Sequence, residues 1–223
     1  MTLHSLKDYS GTFDPDFRYE DLSREALVRL LREWGIYVHL LSQAVGASAY
    51  INYGPEAAEK LAIDEWRGAS PIATQRIRAA LNIDGDDVPA IFKSLQLDPG
   101  FVQQYMDVRF EVVDSKRGYF ELDYCGALED AEAAGEETVV RVCHRIEDAT
   151  FSPTIQAVNP RARVRAVHRP PREDKRQKPV CRWEVWIEDE AVPDEESYIT
   201  RITRQLSAAS FEFDKAAGSP GGD

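Results

Sequence analysis

The feature that most constrains this chain is a change of hydrophobic period near residue 107. Before it, apolar residues recur every three or four positions, which places them on one side of a helix; after it they alternate with polar residues, which places them on one face of a strand. A helix is expected from about 23 to 46, capped by Ser23 and carrying Leu27, Leu30, Leu31, Trp34, Val38 and Leu41 toward the core. Gly54-Pro55 opens a second helix along Ala58, Leu61, Ala62 and Trp66, and Ser70-Pro71 opens a third over about 71–82, with Ala73, Ile77, Ala80 and Leu81 inward. A fourth carries Val88, Ile91, Phe92 and Leu95 and ends before Pro99-Gly100.

Beyond residue 107, DVRFEVVDS and YFELDYC flank the turn Ser115–Gly118 and read as a hairpin, with Phe120, Leu122 and Tyr124 on one face. Residues 137 to about 157 return to helical spacing around Val139, Val142, Cys143 and Ile146, as far as Asn159-Pro160. Two strands follow. RARVRAVH sets Val164, Ala166 and His168 against Arg163 and Arg165, and CRWEVWIED aligns Cys181, Trp183, Val185 and Ile187. A closing helix is expected over about 194–208.

Segregated helices and strands predict an α+β fold, in which an N-terminal helical half precedes an antiparallel four-stranded sheet with packed helices. The expected divisions are an N-terminal arm (1–20), a helical subdomain (21–105), an α+β subdomain carrying the reactive residues (106–208) and a disordered tail (209–223). The chain has 223 residues, 43% of them hydrophobic, enough for one sizeable core. No apolar run approaches the roughly 20 residues of a spanning helix, and the first residues lack the order of a signal peptide, so a cytoplasmic protein without a membrane partner is expected. A net charge of −12 repels phosphate backbones and argues against nucleic acid. Association with further copies of the chain stays open. No Gly-rich phosphate loop or Gly-x-Ser-x-Gly elbow is present.

Three cysteines without an export signal do not read as a disulfide framework, which leaves packing, metal ligation and chemistry. Cys125, His168 and Cys181 fall at strand ends, and Cys143 and His144 fall on the helix between the strand pairs. His144 and Asp148, four residues apart, share a helix face, with Cys143 and Glu147 as the neighbouring pair. The candidate metal ligands are Cys125, Cys143, His144 and Cys181: thiolate and imidazole suit zinc, with three of them leaving an open fourth position, and the three thiolates would equally suit iron or an iron–sulfur cluster. Without metal, Cys143 or Cys125 would be the nucleophile, a His such as His144 the base and Asp148 its orienting carboxylate. Arg163 and Arg165, fixed on a strand, with His168 at its end, would hold a small, anionic ligand. His39 lies beside the stripe of the first helix and reads as a satisfied core or surface residue.

The segments YCGALED, VCHRIED, RAVHRPPR and CRWEV, in that order, resemble the L-2-amino-thiazoline-4-carboxylic acid hydrolase-like group. The corresponding positions here are Cys125, Cys143 with Asp148, and Cys181 with Trp183. The helical half is similar to the same group through LSREALVRLLREWG, the Gly54–Ala58 opening and Asp64-Glu65-Trp66, and the C-terminal half more loosely to vinyl-reductase-type ligand-binding domains. The resemblance implies a pocket assembled from the Cys and Asp positions and hydrolysis of a small C–N bond in an amide-like or thiazoline-like substrate. The alternative is a sensory module that holds a small molecule or metal without turnover.

Overall fold

Ser23 opens the first helix, α1 (Arg24–Tyr53), its hydroxyl accepting the Ala26 N–H at 3.2 Å. The computed structural model describes residues 5–190, 192 and 194–213. α1 does not bury the leucine stripe expected of it. Its buried residues are Ala26, Gly35, His39 and Ala49, whereas Leu27, Leu31, Trp34 and Leu41 are exposed. Close approach decides this: a Cβ on Gly35 would meet a Val102 methyl at 2.5 Å, so only glycine lets the helix sit there.

The second and third expected helices are one helix, α2 (Pro55–Ala80), which runs straight through Pro71. A proline inside a helix removes the N–H that would bond four residues back, here to the Arg67 carbonyl. That carbonyl instead accepts the Thr200 hydroxyl at 2.8 Å, and Thr200 is buried. The continuous helix also changes the buried face, to Gly68, Ser70, Pro71, Ile72 and Thr74; Ala80 and Leu81 are exposed. α3 (Val88–Leu95) is capped by Asp87 and almost wholly buried.

Strands β1 (Met106–Asp114), β2 (Arg117–Cys125), β3 (Ala162–His168) and β4 (Cys181–Ile187) form one antiparallel sheet in the order β1-β2-β4-β3. The fold is α+β: long N-terminal helices and a four-stranded antiparallel sheet with interspersed helices. Between β2 and β3 lie α4 (Gly126–Ala134), a helix the sequence reading missed between Gly126 and Gly135, then α5 (Glu136–Val140), a π-helical segment (Arg141–Ile146) and α6 (Glu147–Gln156). α7 (Tyr198–Arg204) and α8 (Ser207–Ser210) close the described chain. Residues 209–213, expected in the tail, include the end of α8, and Arg76 donates to the Ala209 and Phe211 carbonyls. The expected disorder of residues 214–223 lies outside the described residues. At the other end, Leu6 pairs with Leu22 and Tyr19 meets Trp34 edge-on, so the described arm lies along the start of α1.

The core face of the sheet presents Phe120, Leu122, Cys181, Trp183 and Val185 to α3, α4 and α6. Two of the three bulges in the sheet change which residues face the core beyond them. Asp107 opposes Tyr124 and Val108 opposes Leu122, which leaves Asp123 as an extra residue. In consequence Cys125, not Tyr124, turns inward, and Tyr124 is exposed. Val167 is the extra residue on β3: Ala166 opposes Trp183, but His168 opposes Arg182 on the other face. That other face is a ladder of ions, with Arg109, Arg117, Arg165 and Arg182 paired to Glu121, Asp123, Glu184 and Glu111. Among the described residues no helix is long and apolar enough to cross a membrane.

Thr200→Val keeps the shape of this side chain but orphans the buried Arg67 carbonyl. Urea denaturation should show a loss of about 1–3 kcal/mol, the cost of a buried acceptor without a partner.

Candidate functional site

Between α1, α2, the sheet and the π-helical segment lies a cavity of about 250 Å³. Its walls are mainly apolar: Trp66 from α2, Phe101, Met106 and Leu122 from the sheet side, and Ile146 and Phe151 from the π–α6 run. Polar groups enter at few points. These include His39, Ser42 and Gln43 from α1, Asp98 from the turn before β1, Glu147, and the thiols Cys125 and Cys181. No Lys or Arg is among the lining residues.

Glu147 is the group that most needs explanation. In an ideal α-helix Val142 and Glu147 would point about 140° apart, since five residues make 500° of turn. The wider π turn, whose hydrogen bonds reach five residues, brings both into the cavity wall. Glu147 Oε2 is enclosed and has no hydrogen-bond partner. Burial, offset in part by Arg169 nearby, lifts its pKa to about 8, so the carboxyl is mainly neutral at pH 7. Asp98 is raised to about 6 by burial, although its Oδ1 accepts the Gly100 N–H at 2.7 Å. His39 is pushed the other way: burial lowers its pKa, and Nε2 donates to the Gly100 carbonyl at 3.2 Å.

The three thiols share the core. Cys125, Cys143 and Cys181 are all buried in one core cluster, and a charge on Cys125 or Cys181 is felt at Cys143. Their environment holds them protonated. Burial pushes Cys125 up to about 12, and Cys143 and Cys181 are also raised, each further by the Glu147 carboxylate. A reactive or metal-binding sulfur needs the opposite shift. Cys125 and Cys181 line the cavity; Cys143 packs behind its wall.

The other expected residues lie elsewhere. His144 Nε2 is 2.7 Å from the Pro170 carbonyl, which ties the ring to the 169–180 loop. Asp148 pairs with Arg169, and that guanidinium sits over the Trp183 ring at 5.7 Å. The bulge at Val167 sends His168 to the outer face, with Nε2 3.0 Å from the Pro179 carbonyl. Arg163 and Arg165 point outward too: Arg165 bonds Glu184 at 2.7 Å, and Arg163 donates to the Val192 carbonyl at 2.8 Å. Neither reaches the cavity. Among the described residues no three His, Cys, Asp or Glu side chains are placed to hold a metal ion. The expected set Cys125, Cys143, His144 and Cys181 is therefore not assembled as a metal site among the described residues.

Sequence reasoning missed Asp98, Trp66 and the role of Glu147. The one available signal was the Cys143–Glu147 spacing, which identifies neighbours on a helix without saying which of them faces a cavity.

No family model, curated protein or solved structure matches the chain.

The Glu147 carboxyl has a measurable consequence. Because its folded pKa is raised above 4.5, the folded state holds a proton that the unfolded chain has released, so this stabilisation is lost as pH rises toward 8. His39, lowered from 6.5, acts on stability at and below that value, and the thiols, raised from 9, act above about pH 8, so among these shifted groups the interval from about pH 6.5 to 8 belongs to Glu147. Stability should fall across that interval by at most about 1.4 kcal/mol per pH unit, and Glu147→Gln should flatten the slope. Chemical denaturation at successive pH values measures both.

Proposed function

We propose that this protein binds one compact organic amine in the cavity, with Glu147 as the anchor. The observation that carries the reading is an enclosed carboxyl oxygen without a partner, in an apolar cavity whose lining has no Lys or Arg and one His, His39, whose charging burial disfavours. An ammonium group entering such a cavity gives the carboxylate its counter-ion, and the aromatic rings of Trp66, Phe101 and Phe151 favour a cation over their faces. An anion would meet Asp98 and Glu147 with no Lys or Arg to neutralise it, so the lining does not favour the anionic ligand expected from Arg163 and Arg165. A volume near 250 Å³ is below the usual range of about 300–1,000 Å³, and the ligand is correspondingly small.

Hydrolysis of a C–N bond is the second reading, and it has its own support. A carboxyl with a pKa of about 8 is suited to protonating a leaving amine near neutral pH. Glu147 would then be the general acid, in place of a triad of Cys143, His144 and Asp148.

Titration calorimetry with arylalkyl- and alkylamines, matched carboxylic acids and matched alcohols tests the proposal. Amines should bind preferentially, and Glu147→Gln should weaken them at least tenfold. At pH 7, binding should release a proton as Glu147 ionises, seen as an observed enthalpy that varies with the ionisation enthalpy of the buffer. Equal binding by Glu147→Gln, or preference for the acids, would overturn the assignment. Release of the amine from the corresponding amides would select hydrolysis.

A further inference from the structure

α1 is amphipathic over more of its circumference than the fold uses. Its small-residue side packs on the protein, yet a second apolar arc carries Leu27, Leu31, Trp34, Val38, Leu41 and Val45. Five of these are 38–66% exposed, and Val38 is half-buried. Their spacing runs four, three, four, three, four, the alternation of the two seam positions of a heptad.

We infer that this arc is a homodimer interface, in which two copies pair their first helices antiparallel about a twofold axis near Ile36. In antiparallel pairs the two seam positions of the heptad face each other. Here that sets Leu27 opposite Val45, Leu31 opposite Leu41, and the large Trp34 opposite the small Val38 of the second copy. A parallel pair would instead stack indole on indole in a single layer.

Three observations identify a second copy as the occupant. The seam is self-complementary about its midpoint, as a twofold interface must be. From Trp34 to Tyr53 the helix has no Asp, Glu, Lys or Arg, so this is a surface on which two chains of charge −12 can approach without charge repulsion at the contact. The exposed seam residues with neighbouring Tyr37 present on the order of 600 Å², close to the ~800 Å² per partner of a standard interface. α1 and α2 already form a helical hairpin, so pairing completes a four-helix arrangement across the axis.

Light scattering coupled to size exclusion over a dilution series should give twice the 25.2 kDa chain mass. Leu31→Lys and Leu41→Glu, each alone, should shift the mass toward the single chain with the far-UV circular dichroism unchanged. Mixed, they should regain the dimer, because the antiparallel register sets the lysine of one against the glutamate of the other. Should either charged variant lose its helical signal, Leu31→Cys and Leu41→Cys replace the pair, and the disulfide should form between unlike chains and not between like ones. A wild-type monomer at every concentration, a dimer that survives both charged variants, or a mixture that fails to reassociate would each overturn the interface.

Discussion

The hydrogen bond from the Thr200 hydroxyl to the Arg67 carbonyl holds together more of this molecule than its size suggests. Pro71 would ordinarily break or kink the second helix, because the Arg67 carbonyl would be left buried without a donor. With Thr200 in place the helix runs on to Ala80, and α1, α6 and α7 all pack against it. One wall of the cavity is a segment of that helix, including Trp66 and Ser70, just before the proline. The contact is non-local, joining residues 133 apart in the chain. The continuous helix thus draws one of its backbone partners from the C-terminal segment docked on it.

The fold was largely legible because period is a local property. Alternation in RFEVV and CRWEVWI identified strands, and the change of period near residue 107 separated the helical half from the sheet. What escaped was whatever depended on distant partners. Ser70-Pro71 looks like a helix start until Thr200 is brought beside it. The leucines of α1 look like core until Gly35 lets the opposite side close on Val102. The strand ends at which Cys125 and Cys181 sit were legible, but the protonation of these thiols was not, since it follows from burial. Glu147 was visible only as a partner of Cys143, because a π turn leaves no mark in a sequence read at 3.6 residues per turn.

Thiols and carboxyls share one interior here, and burial acts on both in the same direction by disfavouring the charged form. Each Cys is further raised by the Glu147 carboxylate. A cysteine beside a basic group would be primed to react. Beside a buried acid it is an apolar filler with a polarisable sulfur, and the carboxyl is the group left with unmet bonding capacity. The arrangement suits recognition of a charge brought from outside better than generation of a nucleophile within.

The bulges at Asp123 and Val167 show how facing is counted in a sheet. Strand position has parity, odd or even, and an extra residue inverts the parity of everything beyond it. Asp123 does so before Cys125, and Val167 before His168. A chain of this architecture lacking either residue could keep every flanking side chain and still exchange interior for exterior, losing a thiol from the cavity wall or bringing an imidazole into the core. Length within a strand is thus a chemical variable in its own right, as consequential for what the cavity contains as the identity of any residue that lines it.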